Sequence, residues 1–553
     1  MTQKLYGLLI FLSLISQAFA QTPPPPTPNL QKFIDDRLAA GESRIVIPPG
    51  RYHTIPQKNV HLRLENLKDI ELIADGVELV CTETTRALNI HQCQNLTLQG
   101  LTIDYDPLPF TQGTITHISD DRLTHDITLS SGYPTNGKIL AHKYEIYRND
   151  TRTLRFGSYH GCEVLRISPN KLRITKPQRW KNKGAEQVGD PIVIECLQAK
   201  KGHLPHAISL KDSKNVTLSS VTLFSSPMFG FIENDCSKTT YLKCRVDRRP
   251  LSNDLKKRAS ARLRSLNADA FHSYNAPIGP RYLQCSAQFQ GDDCIAINSE
   301  FHLILNHQQN NLRVLARRHM NLQKGDPVMF LDDRGIPHPL TTIKNIQPHH
   351  PLTDPEKQWI QTLPLSQKFK SSMRSTFLVT LDAPRPLPKD SLIYATNKMA
   401  EGFQIIDGSF AQTRSRGLLI QANNGIIKNN KINACHAESI KVAPEFWWLA
   451  AGPVNQLVIA NNEISNSARE AIQITSHGAK RTDISPPGTH NAITISNNTI
   501  LDSPPPHIYA TSTAELTLKN NRAKKNGNHI PPVLEIKRCS GVSVDGKPFP
   551  PQL

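Results

Sequence analysis

The 553-residue sequence lacks the cysteine patterns of a metal-binding or heavily cross-linked protein. Its ten cysteines form no CxxC pair and no Cys/His ligand spacing, which argues against a structural zinc site. A disulfide between neighbours such as Cys236 and Cys244 and a set of buried free thiols are equally compatible with these positions. A chain of this size needs no cross-links to fold. We therefore expect no structural zinc site.

The sequence also lacks a long hydrophobic run beyond its first residues. The opening stretch MTQKLYGLLIFLSLISQAFA places Lys4 ahead of an apolar segment and ends in Ala18-Phe19-Ala20, which is typical of a cleavable export signal. No later segment approaches the roughly 20 apolar residues that span a bilayer. We expect a signal peptide at 1–20, a stiff proline-rich linker at 21–30 and an exported protein without an integral membrane segment.

A recognisable nucleic-acid-binding module is missing as well, although the net charge is +18 and the pI is near 9.4. Such a surface attracts polyanions in general. An exported chain without a nucleic-acid module is not expected to bind nucleic acid. Acidic or sulfated glycans therefore stay open as partners, and solubility is the simpler explanation of the charge.

What the sequence does contain is a recurring unit in which a polar turn with Asn precedes an alternating strand of Val, Ile, Leu and Thr. The unit occurs as LENLKDIELIADGVELV, CQNLTLQGLTIDY, SKNVTLSSVTLF, NNGIIKNNKI, VNQLVIANNEIS and HNAITISNNTIL. Many short strands at a regular repeat predict a solenoid of parallel strands. A β-sandwich is less favoured, since it has no reason to repeat the Asn signature.

Paired asparagines mark the repeat towards the C-terminus. Asn430, Asn462 and Asn498 each end an Asn-Asn pair, and they are spaced by 32 and 36 residues. Asn tolerates the left-handed turn conformation, and its side chain can bond local backbone. We therefore predict a right-handed parallel β-helix with an internal asparagine ladder, one rung per coil.

Two segments interrupt the repeat. Residues 111–202 and 301–400 lack the Asn-turn unit, and we interpret them as β-rich or barrel-like insertions. The β-helix then comprises N-terminal coils at 31–110, central coils at 203–300 and C-terminal coils with a tail at 401–553. Solenoids place insertions on one face, which is often the binding face, although insertions can also shield strand edges.

Three aspartates carry the most concentrated chemistry of the chain. Asp269 lies in NADAFH, and Asp292 and Asp293 lie in GDDCIAIN, 23 residues after Asp269, which is about one coil. Strands of successive coils lie about 4.8 Å apart, so these carboxylates can converge. Like charges raise one another's pKa, and a protonated acid beside an ionised base is what glycosidic bond cleavage requires. Alone, an Asp-Asp pair could equally cap a turn or bind Ca²⁺.

Other polar and aromatic residues follow on the same or later coils. Two adjacent tryptophans among only four in the chain offer a platform for a sugar ring, although core packing explains one of them equally well. The candidate substrate-binding residues are His272, Arg264, Arg416, Glu438, Glu445, Trp447 and Trp448.

The aspartate motifs resemble two related families. The NxD and DD arrangement is similar to that of the polygalacturonases, glycoside hydrolase family 28, but their Gly-His-Gly and Arg-Ile-Lys motifs are missing. A closer resemblance, over most of the chain, is to the α-1,3-galactosidases of glycoside hydrolase family 110. One departure is Ser299 after Asn298, where the commoner family pattern has His. The stretches that carry the closer resemblance are LTIDYDPLPFTQGTI, RLRSLNADAFHS, GDDCIAINSEF, RSRGLLIQANNGIIKNN and FWWLAAGPVNQLVIANN.

The family 110 resemblance implies hydrolysis with inversion, without a metal and without a cofactor. It implies that Asp292 is the general acid and that Asp269 and Asp293 hold and deprotonate water. We expect a bacterial enzyme, periplasmic, cell-surface or secreted, that removes terminal α-1,3-linked galactose from an oligosaccharide or polysaccharide. The insertions could wall off a pocket for exo action or mediate a homodimer. The alternatives are another β-helix glycoside hydrolase or polysaccharide lyase acting on an acidic polymer, and a non-catalytic glycan-binding solenoid.

Overall fold

The structure is a computed structural model that describes residues 29–136, 138–181, 186–197, 206–250, 258–384, 386–388, 390–479 and 482–550. The predicted signal peptide and all but the last two residues of the predicted linker lie outside the described residues. No helix in the described parts of the chain is long and apolar enough to cross a membrane.

Three long sheets, here called A, B and C, form the body of the molecule. They contain 13, 12 and 12 strands, and the chain visits A, then B, then C in each coil. Equivalent strands of successive coils pair in parallel, as Phe271–Tyr274 does with Ile295–Glu300. Inward-facing apolar side chains from all three sheets build one continuous core. The parallel β-helix expected from the repeat is confirmed.

The strands of each sheet are given in spatial order. Sheet A contains Arg44–Val46, Lys68–Ile73, Gln94–Gln99, Thr217–Ser219, Thr240–Leu242, Arg281–Leu283, Gln404–Ile406, Gly425–Lys428, Asn455–Ala460, His490–Ser496, Thr513–Lys519, Ser543–Val544 and Lys547–Pro548. Sheet B contains Gly50–Thr54, Val77–Cys81, Thr102–Tyr105, Thr222–Leu223, Arg245–Val246, Ser286–Gln288, Ser409–Thr413, Lys431–Cys435, Glu463–Ser465, Thr499–Leu501, Arg522–Lys525 and Asn528–Ile530. Sheet C contains Val60–Glu65, Arg86–His91, Ile208–Lys211, Phe231–Asn234, Phe271–Tyr274, Ile295–Glu300, Leu418–Ile420, Ile440–Val442, Ile472–Ile474, Ile508–Thr511 and Leu534–Lys537, with Ala450–Ala451 beside Ile295–Glu300.

The asparagine ladder is present inside the helix. The Nδ2 atom of Asn430 donates to Oδ1 of Asn462 at 3.0 Å, and Asn462 donates in the same way to Asn498 at 2.9 Å. Asn498 extends the ladder to Asn521 at 3.0 Å. The preceding asparagines make the turns in the left-handed conformation, with φ of 58° at Asn429, 57° at Asn461 and 55° at Asn497.

The first helix covers the N-terminal end of the core. It spans Leu30–Ala39, is capped by the side chain of Asn29 and buries Leu30 and Ile34. Gln31 pairs with the backbone of Arg63 on the edge strand of sheet C, through bonds of 2.7 and 3.0 Å. Within the described residues, the other α-helices are Asp354–Thr362 and Gln367–Ser372, and the 3₁₀ helices are Gln178–Trp180, Thr396–Lys398 and Phe446–Trp448.

Two antiparallel β structures leave the coils, as the fold prediction required. The first is a seven-stranded sheet of Leu154–His160, Lys138–Tyr147, Pro191–Leu197, Phe110–Ile118, Thr124–Leu129, Lys171–Thr175 and Glu163–Ser168. The second is a closed six-stranded barrel of His302–Gln308, Asn311–Leu315, Thr376–Leu381, Pro337–Pro348, Pro327–Leu331 and Leu392–Ala395. Each has an apolar core of its own.

All ten cysteines are free thiols, and all but Cys162 are buried. Cys236 and Cys244 are not joined to each other, so the structure has the buried-thiol alternative and not the disulfide. Burial raises the pKa of both thiols well above its usual range. They are therefore packing residues of the core and not reactive groups.

Candidate active site

The three predicted aspartates converge at the corner between sheets B and C. Asp269 and Asp293 occupy equivalent positions on successive coils, because the backbone N–H of Ala270 donates to the carbonyl of Asp293 at 3.0 Å. One carboxylate oxygen from each of Asp269, Asp292 and Asp293 lies within 4.8 Å of the other two. The coil spacing read from the sequence thus corresponds to a real convergence in space.

A glycine makes this corner tight. A Cβ atom on Gly291 would lie 2.6 Å from the carbonyl oxygen of Asn267, on the neighbouring coil. No larger residue fits there without moving the backbone. The two coils can therefore approach closely enough for Asp292 and Asp293 to face Asp269.

Two arginines from the next coil compensate the charge of the aspartate pair. Arg416 binds Asp293 through two parallel bonds, from Nε to Oδ1 at 2.9 Å and from Nη2 to Oδ2 at 2.8 Å. Arg414 donates from Nη2 to Oδ2 of Asp292. Bidentate guanidinium–carboxylate pairs are strong and geometrically specific, so Arg416 fixes the orientation of Asp293. Sequence reasoning missed Arg414, although it lies two residues before Arg416.

Burial and mutual repulsion shift the pKa values of Asp269 and Asp293. Burial, followed by the charges of Asp292 and Asp293, raises the pKa of Asp269 well above its usual range. Burial also raises the pKa of Asp293, although Arg416 opposes the shift. Carboxylates this close titrate as a group and not one by one. Both shifts are in the direction that favours retention of a proton by the cluster.

His272 is the nearest neighbour of Asp269 in the site. Its Nδ1 lies 2.6 Å from Oδ2 of Asp269. Burial, and then the charges of Arg318 and Arg317, lower the pKa of His272 well below its usual range. The imidazole is therefore neutral. Its buried Nε2 has no hydrogen-bond partner among the described residues and can bond a sugar hydroxyl.

Aromatic rings line sheet C beside the aspartates. Phe229 stacks between His206, with ring centroids 4.8 Å apart, and His272, at 4.7 Å. Tyr274 lies against the other side of His272 at 4.1 Å. Aromatic rings beside polar groups suit the mixed apolar and hydroxylated surface of a sugar.

Arg264 is buried beneath the loop that carries Asp269. Its side chain is fully buried, with Nε bonded to Glu145 at 2.6 Å and Nη1 bonded to Asn267 at 2.9 Å. The sequence reading grouped Arg264 with the substrate-binding residues, whereas the structure gives it a position beneath the loop that carries Asp269. Glu145 belongs to the first antiparallel sheet, and its local strand pattern gave no signal of this role.

The remaining predicted residues lie further along the coils. Glu438 stands one coil beyond Arg416 and is almost fully buried, with Lys441 Nζ and Arg469 Nη1 each 3.6 Å from its carboxylate. Glu445 accepts from Nη1 of Arg416 at 2.8 Å and so lies closer to the cluster.

Trp447 and Trp448 form part of the 3₁₀ helix Phe446–Trp448, directly after Glu445. Trp448 is 41% exposed and Trp447 is half-buried. The structure thus places one indole at the surface and the other partly in the protein.

Fold and site together define a parallel β-helix with a buried, arginine-compensated cluster of three aspartates at a sheet corner. Residues 416–546 match the family model described as the right-handed β-helix region, which gives the hand of the solenoid. Alpha-1,3-galactosidase B of Bacteroides thetaiotaomicron is 21% identical over 556 residues, covering 91% of this chain and 84% of that protein. This match confirms the resemblance to α-1,3-galactosidases that the sequence motifs indicated.

Solved structures of other β-helix proteins are similar at lower sequence identity. The A-module of mannuronan C-5 epimerase AlgE4 from Azotobacter vinelandii has a TM-score of 0.40 and 10% identity, covering 93% of this chain and 94% of that chain. A family 28 exopolygalacturonase from Yersinia enterocolitica has a TM-score of 0.40 and 11% identity, covering 92% of this chain and 73% of that chain.

Proposed function

We propose that this protein is a glycoside hydrolase that releases terminal α-1,3-linked galactose from glycans with inversion at the anomeric carbon. The observation that carries the glycoside hydrolase assignment is the convergence of Asp269, Asp292 and Asp293, with one carboxylate oxygen of each within 4.8 Å of the others and the pKa of Asp269 raised by burial and by its neighbours. Inverting carboxylate pairs are typically about 6.5–9.5 Å apart, so the proposal of inversion rests on the resemblance to family 110 and not on this spacing. The similarity to an α-1,3-galactosidase over 91% of the chain supports the choice of sugar and linkage.

In the proposed reaction Asp292 is the general acid. Its side chain is 29% exposed, against 7% for Asp269 and 2% for Asp293, so it is best placed to reach the glycosidic oxygen. The bond between the anomeric carbon and that oxygen breaks, the oxygen takes the electron pair, and the proton of Asp292 is transferred to it. Arg414 donates to Oδ2 of Asp292 and so orients this carboxyl group.

Asp269 and Asp293 are assigned to the water molecule. They hold it on the face opposite the leaving oxygen, and Asp293, the aspartate paired with Arg416, takes its proton as it attacks the anomeric carbon. Arg416 orients Asp293 for this step, and neutral His272 orients Asp269. Water attack in a single displacement produces the inverted anomer, which here is β-galactose.

Exo action is supported by the two insertions, which both reach the site. The first antiparallel sheet supplies Glu145 beneath it, and the loop after barrel strand Asn311–Leu315 supplies Arg317 and Arg318 beside Tyr274. Contributions from both insertions around the aspartates favour a pocket for a chain end. Export to the periplasm, cell surface or medium belongs to the same proposal and is supported by the N-terminal sequence.

The decisive experiment follows hydrolysis of α-1,3-galactobiose by NMR for the wild type, Asp292→Asn and Asp120→Asn. Asp120 is an exposed aspartate in a turn of the first insertion and serves as the matched control. We expect the wild type and the control to release β-galactose first, and Asp292→Asn to lose at least about a hundredfold in rate. Initial release of α-galactose would refute inversion. Binding without release by a folded wild type would favour the non-catalytic solenoid.

A polysaccharide lyase is the second candidate, because three carboxylate oxygens within 4.8 Å could hold Ca²⁺. Arg414 and Arg416 already compensate two of these charges, which makes a further cation less favourable. We expect dialysis against EDTA to leave galactose release unchanged. Ca²⁺-dependent cleavage of a polyuronate to an unsaturated product that absorbs in the ultraviolet, without galactose release, would favour the lyase.

A further inference from the structure

Two consecutive arginines extend the site on the side of the barrel. Arg317 and Arg318 follow the barrel strand Asn311–Leu315, and their guanidinium carbons lie 5.6 and 5.5 Å from the ring centroid of Tyr274. That ring lies 4.1 Å from His272, which bonds Asp269. The Tyr274 ring therefore lies between the two arginines and His272, which bonds Asp269 of the catalytic cluster.

The two arginines differ in what balances their charge. Arg317 is 3% exposed and donates to Glu300 at 3.1 Å. Arg318 is exposed, and no carboxylate among the described residues lies within 4.0 Å of it. Arg317 is thus a structural cation, whereas Arg318 presents an uncompensated charge at the rim of the site.

The exposed indole of Trp448 lies next to these residues. The guanidinium of Arg317 lies 4.8 Å from the ring centroid of Phe369, and the Phe369 ring meets Trp448 edge to face at 5.8 Å. Trp448 also lies three residues after Glu445, which bonds Arg416 of the aspartate cluster. Tyr274, Arg317, Phe369 and Trp448 therefore form a continuous row. Tyr274 is linked to the aspartates through His272, and Trp448 is linked to them through Glu445 and Arg416.

We propose that Arg318 and Trp448 form a second subsite beside the cleavage site, for a sugar residue that carries a sulfate or carboxylate group. The proposal rests on the proposed glycosidase function and specifies its substrate class. An exposed indole stacks on the apolar face of a sugar ring, and a guanidinium binds sulfate or carboxylate oxygens through paired hydrogen bonds. The net charge of +18 would raise the local concentration of such an acidic glycan.

Packing of Arg318 against an aromatic ring strengthens the assignment. Contact with Tyr274 limits the conformations of the side chain, so binding an anion costs less conformational entropy than it would for an arginine extended into solvent. Arg522, in strand Arg522–Lys525 of sheet B, is the matched reference. It is also exposed and lies five strands along sheet B from Ser286–Gln288, roughly 24 Å at about 4.8 Å per strand.

The test compares three disaccharides in which α-1,3-linked galactose is joined to a neutral sugar, a sulfated sugar or a uronic acid. The proteins are the wild type, Arg318→Gln, Arg318→Lys, Trp448→Ala and Arg522→Gln. We expect the wild type to prefer one or both charged substrates, and added salt to weaken that preference. The sulfated and uronate substrates then distinguish which anion the subsite takes.

In Arg318→Gln, we expect kcat/KM on the preferred charged substrate to fall about tenfold more than on the neutral one. Arg318→Lys should retain an intermediate preference, Trp448→Ala should lower kcat/KM on all three, and Arg522→Gln should match the wild type. Equal losses on charged and neutral substrates in Arg318→Gln would overturn the subsite while leaving the glycosidase intact.

The same experiment distinguishes failure of the galactosidase proposal from failure of the subsite proposal. If the wild type cleaves none of the three disaccharides, the galactosidase proposal fails. Calorimetric binding of the charged disaccharides to the wild type and to Arg318→Gln then decides the subsite. Affinity that depends on Arg318 supports it, and equal affinity overturns it.

Discussion

Glu145 and Arg264 lie 119 residues apart in the chain, yet their side chains form an ion pair that is closed to solvent. Glu145 comes from the first antiparallel sheet, and Arg264 lies in the loop that leads to Asp269. Arg264 also bonds Asn267 of that loop. The insertion is therefore part of the framework that fixes the position of a catalytic aspartate.

Glu145→Gln should destabilise the protein and lower its activity together. The substitution keeps the size of the side chain but leaves the charge of Arg264 buried without its carboxylate. Breaking one partner of a buried pair costs about 3 kcal/mol or more in the free energy of unfolding. Chemical denaturation and galactose release from the same preparation would measure both effects.

Glu163→Gln is the matched control for this prediction, because Glu163 is exposed on strand Glu163–Ser168 of the same sheet. We expect it to change the free energy of unfolding by less than about 0.5 kcal/mol. Replacing both Glu145 and Arg264 by apolar residues of similar volume should recover part of the stability but not the activity. Equal stability of Glu145→Gln and the wild type would contradict the framework role.

Asp269 makes the stability of the protein depend on pH. Because its pKa is raised in the folded state, the native protein retains a proton that the unfolded chain has lost, so this group's contribution to stability falls as pH rises above about 4. Asp269→Asn removes this pH dependence, because the amide does not lose a proton in either the folded or the unfolded state. We expect the variant to gain stability relative to the wild type as pH increases from about 4.5 to 7.5, while losing activity.

Thermal unfolding at three pH values in that range checks whether the stability of Asp269→Asn relative to the wild type rises with pH. The exposed-site variant Asp120→Asn is the reference. The difference in midpoint between Asp269→Asn and the wild type should grow with pH, whereas that of Asp120→Asn should stay flat. A difference that shrinks as pH rises would show that the native state favours the ionised form of Asp269.

Local sequence was enough to predict the solenoid and the convergence of the aspartates. The Asn-Asn pairs specify both a left-handed turn and a buried amide, as Asn461 and Asn462 show, and each coil repeats them. Once coils stack in register, a spacing of about one coil is sufficient to bring Asp269 beside Asp293.

Residues outside the repeat could not be placed in this way. The position of Glu145 depends on how the first antiparallel sheet packs on the β-helix. The position of Arg318 depends on how the barrel packs next to Tyr274. Neither contact leaves a periodic signal in the sequence. The same limit applies to the contact between Trp448 and Phe369, since Phe369 belongs to the barrel insertion.

Asn462→Ala should weaken the β-helix more than an ordinary surface change. Oδ1 of Asn462 accepts from the backbone and side chain of Asn430, both at 3.0 Å, and its Nδ2 donates to Ile427 and Asn498. Their loss leaves buried donors and acceptors unpaired, which we expect to cost about 3 kcal/mol in the free energy of unfolding. Chemical denaturation checks this, and the exposed-site variant Asn528→Ala should change it by less than about 0.5 kcal/mol.

Arg416→Lys tests whether the geometry of the arginine, beyond its charge, matters for the reaction. Lysine keeps a positive charge but cannot bond both oxygens of Asp293 and reach Glu445 at the same time. We expect kcat for galactose release to fall about tenfold to a hundredfold, because Asp293 loses the orientation needed to hold water. Arg522→Lys, the same substitution on an exposed strand, should retain wild-type kcat. Wild-type kcat in Arg416→Lys would mean that only charge compensation is required.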